Sequence, residues 1–352
     1  MECIKEKIRR FWVWFEKNHR MLEVQLETDQ TASAAFSVGE KLNAFGISIM
    51  SEVGGEAGRY WIQLSPCSDK TAQFICRFWK EMAPEMENWS FYSFRTPRKD
   101  GIPQIKNILG NHIDLDKMRF YVTVDEVRQR YLVTVVSPLF NGNNAEEDQS
   151  LCLMVCYILL GEAATEGYLH PLTTATAAPM DADYPNLDAA QFVSLVAATE
   201  EVRPWVTASD PTFFSIVYGS QTDQMEVRTG IQVGMTLHLQ LLMQPFRVTE
   251  EFRQCGGVFC SLCSSVNAED PQRNAEHLQK NTMKVEELMN RFQLGYVIGH
   301  AIGMEYNSID LMVFDEKTFR AVFRDPWTLL NEQMVLEYFG AKGMPQKNFF
   351  VQ

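Results

Sequence analysis

Three cysteines, Cys255, Cys260 and Cys263, carry the C-x4-C-x2-C spacing of a plant-type iron–sulfur ligand set. Such a cluster needs four thiolates, and no cysteine follows Cys263. The stretch Val258-Phe259-Cys260-Ser261-Leu262-Cys263 also alternates like a β-strand, which sends Cys260 and Cys263 to opposite faces of a sheet. The thiols are therefore read as small core hydrophobes, with no metal site and no cofactor implied. Cys152 and Cys156 stand four apart on a helix that is apolar all round, and read the same way.

Other residues offer weaker chemistry. His300 lies between Gly299 and Gly303, where a histidine can serve as a base. A strand packed closely against its neighbours gives the same pattern and is the favoured reading. The third glycine and following helix of a dinucleotide fingerprint are missing. Asp310 and Asp315 bracket the apolar run Leu311-Met312-Val313-Phe314, and Asp315 reads as a helix cap rather than an acid catalyst. Arg95 ends a strand beside aromatics, where its planar fork suits a carboxylate or phosphate. An internal pair with Glu162, which follows Gly161 at a helix end, is favoured. No serine elbow, zinc-binding HExxH or phosphate loop occurs. No catalytic residue is assigned; Arg95, Glu162, His300 and Asp310 stand as candidate binding residues.

The elements that position them are legible from periodicity. A first helix is expected over Glu2 to Asn18, with Ile4, Ile8, Phe11, Trp12 and Phe15 as its apolar stripe. Leu22 to Leu26 alternates as a strand, and Thr31 to Phe45 reads as a helix closed by Gly46. Ile47 to Val53 and Arg59 to Leu64 suggest a hairpin across Gly54-Gly55. A helix capped by Ser68 and ended by Pro84 follows, then a strand over Ser90 to Arg95. Strands over Arg119 to Val124 and Tyr131 to Val136 lead into a helix over Ala145 to Leu160. The Ala-, Thr- and Pro-rich run Thr173 to Pro185 marks a junction before a helix over Leu187 to Val202. Beyond it, strands are expected over Phe213 to Tyr218, Gln224 to Val227, Met235 to Leu242, Val258 to Val266, Tyr296 to Gly303 and Ile309 to Phe314. Helices are expected over Asn274 to Gln293, Glu316 to Phe323 and Leu329 to Tyr338.

These patterns predict an α+β fold of two domains, 1–180 and 205–352, joined by a linker and connecting helix over 181–204. Each is expected to be a mainly antiparallel sheet with helices packed on one face. The chain has 352 residues, 46% hydrophobic and 12% aromatic, enough for large cores without disulfides. Its net charge of −13 argues against nucleic-acid binding and against docking on anionic lipid. No signal peptide is visible, and no apolar run reaches the about 18 residues of a membrane span. The eight cysteines then read as reduced thiols in a cytoplasm.

The string Phe11-Trp12-x-Trp14-Phe15-x-x-Asn18, the Ala83-Pro84…Trp89…Phe94-Arg95-x-Pro97 segment and the Leu160-Gly161-Glu162 helix end resemble an uncharacterised family of bacterial cytoplasmic proteins. The resemblance covers most of residues 1–175. It implies a bacterial source and assigns no activity; the C-terminal domain resembles nothing identified. The expected function is non-catalytic binding or regulation of a protein partner. A specific form is an immunity-type protein that masks a basic nuclease or toxin. One alternative is an enzyme with a site in the interdomain cleft, built from His300, Asp310, Arg95 and Glu162. The other is a structural homo-oligomer.

Overall fold

The protein is α+β. The computed structural model describes residues 2–46, 48–97, 113–126, 129–140, 142, 144–178, 185–202, 211–219, 225–233, 237, 240–241, 245–266, 270–303, 306–324, 330, 334–339 and 345–348. The two ends of the 181–204 connection, 181–184 and 203–204, and most of the strand expected over Met235 to Leu242 lie outside the described residues; the described residues of that expected strand, 237, 240 and 241, are helical.

In chain order the elements are α1 (Ile4–Glu27), α2 (Thr31–Leu42), β1 (Met50–Glu56), β2 (Arg59–Ser65), α3 (Lys70–Glu81), β3 (Trp89–Tyr92), β4 (Arg119–Asp125) and β5 (Arg130–Val136). There follow α4 (Ala145–Leu160), α5 (Glu162–Tyr168), β6 (Leu169–Ala175), β7 (Asn186–Leu187), α6 (Ala189–Val202), β8 (Pro211–Gly219), β9 (Met225–Val233), α7 (Pro245–Gln254) and β10 (Val258–Ser265). The chain ends with α8 (Pro271–Arg291), β11 (Gly295–Ile302), β12 (Tyr306–Val313), α9 (Glu316–Val322), β13 (Val335–Phe339) and β14 (Pro345–Asn348).

Several boundaries differ from the sequence expectation, each for a local reason. The strand expected at Leu22 to Leu26 is the end of α1. No glycine or proline interrupts that helix, and it stops before Asp29, which takes a left-handed φ of 58°. The first hairpin turns at Ala57-Gly58, both left-handed, as a two-residue loop requires. Gly54 sits inside β1 instead, where a Cβ would stand 2.2 Å from the Trp61 ring. Asp69, rather than Ser68, caps α3 by accepting the Ala72 N–H at 2.9 Å. The helix expected over Leu329 to Tyr338 is in part strand β13, which pairs antiparallel with β10. Its Leu336 and Tyr338 face the core while Glu337 points the other way, a period of two. Asp270, Asp315 and Asn144 cap α8, α9 and α4 through their side-chain oxygens.

The chain divides into two compact units, and they are not contiguous halves. One comprises Met1–Ile62, Asp69–Phe91 and Ser209–Gln352; the other comprises Gln63–Ser68 and Tyr92–Ala208. The 1–180 and 205–352 division differs from this because α1 and α3 pack with the C-terminal segment. The Nζ of Lys7 donates to the Cys255 carbonyl at 2.8 Å, and the Phe78 ring meets Phe314 at 4.7 Å.

The first unit holds a small sheet in the order β1-β2-β3 and a large one in the order β14-β13-β10-β12-β11-β9-β8. Helices α8 and α9 cover one face of the large sheet through Leu278, Val285, Leu288, Phe319 and Phe323. Phe252 of α7 packs on the opposite face, 4.5 Å from Phe259. The N-terminal aromatic cluster is core: Trp12 stacks on Trp79 at 4.5 Å, and Phe15 meets Trp89 and Phe91 edge-on.

The second unit is built on a sheet in the order β6-β5-β4-β7, with β5 and β6 parallel. The parallel pair is joined through α4 and α5, as a crossover demands. Leu151, Cys152, Val155, Cys156 and Leu159 of α4 lie in its core, with Phe192 of α6 stacked on Phe120 at 4.6 Å. No single helix among the described residues is long and apolar enough to cross a membrane.

Candidate functional site

In the second unit, α5 begins at Glu162 directly after Gly161, and that turn places the Glu162 carboxylate inside the protein, fully buried. One oxygen accepts the Cys67 backbone N–H at 2.9 Å and the other the Arg95 backbone N–H at 3.3 Å. The Glu162 N–H in turn donates to the Arg95 carbonyl at 2.9 Å. Arg95 and Glu162 are thus brought together, and the bonds that join them run through the Arg95 backbone where an ion pair of the two side chains was expected. The Arg95 guanidinium, itself buried, reaches the Met154 sulfur at 3.6 Å.

Burial raises the Glu162 carboxyl above its ordinary value, against the pull of its hydrogen bonds from Ser65, Arg95 and Cys67. Alongside, the Tyr157 hydroxyl donates to Glu166 at 2.7 Å and meets the Ser68 hydroxyl at 2.9 Å. Cys67 and Ser68 both hold left-handed φ angles, 50° and 69°. The carboxylate therefore fastens a strained turn to a helix start. Burial also raises the Cys67 thiol, so its sulfur is a protonated thiol at neutral pH and not an activated nucleophile.

In the first unit, His300 and Asp310 lie on neighbouring strands but on opposite faces. His300 pairs with Ile309, and Asp310 pairs with Gly299 and with Ser261. Directly paired residues share a face. His300 therefore stands on the α8 side with Ile309, and Asp310 on the other side. Burial pushes the His300 imidazole below its usual value, opposed by the Asp310 charge across the sheet. Asp310 accepts the Ser261 hydroxyl at 2.6 Å. Ser261 also pairs with Glu337, so Glu337, Ser261 and Asp310 form one buried row. The Cys263 thiol donates to Glu337 at 3.7 Å. Serine and aspartate here are not completed by His300 into a hydrolase triad, which would need the imidazole between them. Cys260 lies in the α8-side core and Cys263 beside Glu337, the opposite-face arrangement that the alternation of β10 requires.

A third place was not singled out from sequence. Between α3, the C-terminal end of α8 and the start of β11 lies a groove of about 580 Å³. Its floor is aromatic, from Phe74, Phe78 and Tyr296, and its rim is polar, from Arg77, Glu81, Glu286 and Asn290. Arg77 lies over the Tyr296 ring at 5.1 Å and donates from Nε to Glu81 at 2.9 Å. The Tyr296 hydroxyl donates to the other Glu81 oxygen at 2.8 Å. Burial, and then the Glu81 charge, push the Tyr296 phenol far above its ordinary value. The only local signal is the four-residue spacing of Arg77 and Glu81 and of Phe74 and Phe78, which places each pair on one helix face. None of Arg95, Glu162, His300 and Asp310 lines this groove.

Compared with known proteins, the chain matches no protein-family model, no curated protein and no solved structure.

Proposed function

We propose that this chain is a binding protein that acts on a basic protein partner, with no chemistry of its own. The observation that carries the reading is where its charges sit. Among the described residues the buried charged side chains are Arg95, Asp148, Glu162, Asp310 and Glu337. Glu162 and Asp310 are engaged in the hydrogen bonds that tie turns and strands together. The other charged side chains among the described residues are partly or fully exposed, and over the whole chain 45 acidic residues stand against 32 basic ones. An acidic surface steers a basic partner toward it and repels acidic ones. Masking of a basic nuclease or toxin is the specific form this takes.

The test is capture from an extract of the host cell on the immobilised chain, followed by association kinetics of each purified captured protein. A basic protein whose association rate falls about tenfold or more between about 50 mM and about 500 mM salt is the expected result. Salt-independent association, or capture of acidic and neutral proteins alone, overturns the reading.

A further inference from the structure

Three features of the groove beside Tyr296 favour the same kind of ligand. Glu81 and Glu286 place two carboxylates on its rim, against the single cation Arg77. The floor offers an aromatic face, whose quadrupole attracts a cation lying over it. The groove also lies at the C-terminal end of α8, a helix of 21 residues, where the helix dipole is negative; the Leu288, Met289 and Asn290 carbonyls there already accept backbone N–H groups, so the dipole and not a free carbonyl is what favours a cation. A cation already answers this end of the helix, since Lys5 donates to the carbonyl of the capping residue Phe292 at 2.6 Å.

The protein already seats one cation there. The Arg77 guanidinium lies over the Tyr296 ring and is held by Glu81, and Glu81 is fixed in turn by the Tyr296 hydroxyl. This is the geometry that recognises an arginine: a planar group stacked on a ring and hydrogen-bonded to a carboxylate. Yet the Arg77 side chain is 51% exposed and Glu81 46%. An exposed pair of this kind is worth little, so displacing Arg77 costs little.

We propose that the groove receives an arginine side chain of the basic partner, and that Arg77 is its internal stand-in while the groove is empty. On binding, Arg77 swings outward, the incoming guanidinium stacks on Tyr296 and pairs with Glu81, and Glu286 with Asn290 receives the next basic group along the partner. The proposal rests on the binding reading above, and names its site and the side chain it takes.

The test uses the full chain and a fluorescein-labelled hexa-arginine peptide, with hexa-lysine as comparison, read by fluorescence anisotropy at low salt. Wild type is expected to prefer arginine over lysine. Arg77→Ala is expected to tighten arginine binding about threefold, and Glu81→Gln with Glu286→Gln to weaken it about tenfold. Controls with the same charge changes on exposed positions of α1 and α2, Arg20→Ala and Glu16→Gln with Glu40→Gln, are expected to move binding less than twofold. Near-UV circular dichroism confirms that each variant keeps its fold. Equal binding of the two peptides, or groove variants no different from the controls, overturns the proposal.

The groove variants also separate this proposal from the function it rests on. A basic partner captured equally by wild type and the Glu81→Gln, Glu286→Gln variant leaves the binding function standing and removes the groove from it. Groove-dependent arginine binding with no basic partner captured removes the protein partner and keeps the site.

Discussion

Glu162 carries more of the second unit than its place in the sequence suggests. Its two oxygens serve backbone N–H groups from separate segments, Cys67 and Arg95, and it is fully buried. Glu162→Ala leaves both donors without that acceptor, and a buried unsatisfied donor costs about 1–3 kcal/mol. A loss of about 3 kcal/mol in the denaturant unfolding of this unit is expected at neutral pH, with a smaller loss for Glu162→Gln, which keeps one acceptor oxygen. The pH dependence has a definite sign. The folded carboxyl is raised above its unfolded value, so the folded state holds its proton more tightly. The contribution to stability from this group is therefore full below the unfolded value and is lost as pH rises through the folded one. Glu162→Gln should remove that slope, and urea titrations of both proteins across the acidic range measure it. A variant that keeps the wild-type slope shows that other carboxyls set it. The sequence pointed to Arg95 and Glu162 as partners because their opposite charges, at a strand end and a helix end, suit an ion pair. It could not show that the bond runs through the arginine backbone, since composition does not say which atom of a residue faces inward.

Among elements, those with strong punctuation were readable and those without it were not. Asp315 announced α9 and accepts the N–H three residues on, as Asp270 does for α8. The turn at Gly161 was readable too, and the structure shows why only glycine serves there. Its φ of 84° with ψ of 156° is a region closed to other residues. A Cβ would stand 2.8 Å from the Pro97 Cδ and 3.2 Å from the Arg95 carbonyl. Gly161→Ala is expected to cost about 2 kcal/mol or more and to lower the melting temperature, because both the conformation and the contact penalise it. A neutral substitution would mean that the α4–α5 junction relaxes freely. By contrast, Leu22, Val24 and Leu26 alternate as a strand would, yet they continue α1, with Leu22 buried and Val24 57% exposed. Three apolar positions fit either period, and the uninterrupted helix before them decided the outcome. Strand β13 was misread for a related reason. Its pairing with β10 joins residues more than seventy apart, and no short window contains that partner. The groove escaped the sequence altogether, since its lining comes from 74–82, 286–290 and 293–297.

At the scale of the whole molecule, the informative fact is that one compact unit is assembled from three separate stretches of chain. Sequence reading favours contiguous domains, since composition shifts mark where a chain leaves a core and not where it returns. The segment after 205 contains the large sheet with α7, α8 and α9, and by itself looks self-sufficient. Its face away from α8 is completed from the N-terminal segments. Phe74 and Phe78 of α3 pack on Tyr296, Phe78 packs on Phe314, and Lys7 ties α1 to the Cys255 carbonyl. Burying a large apolar side chain is worth about 1.5–3 kcal/mol, so losing several such contacts rivals the about 5–15 kcal/mol that stabilises a domain. Fragment 205–352 expressed alone is therefore expected to keep strand and helix signal in the far ultraviolet while losing near-ultraviolet dichroism, and to bind a hydrophobic dye. Full-length protein run in parallel should bind none and unfold cooperatively. A fragment with sharp cooperative unfolding and no dye binding would show that the C-terminal sheet folds without α1 and α3. In that case the groove formed by α3, α8 and β11 would join an independently stable sheet to a helix contributed by the N-terminal segment, and removing α3 alone would abolish arginine binding without unfolding the sheet.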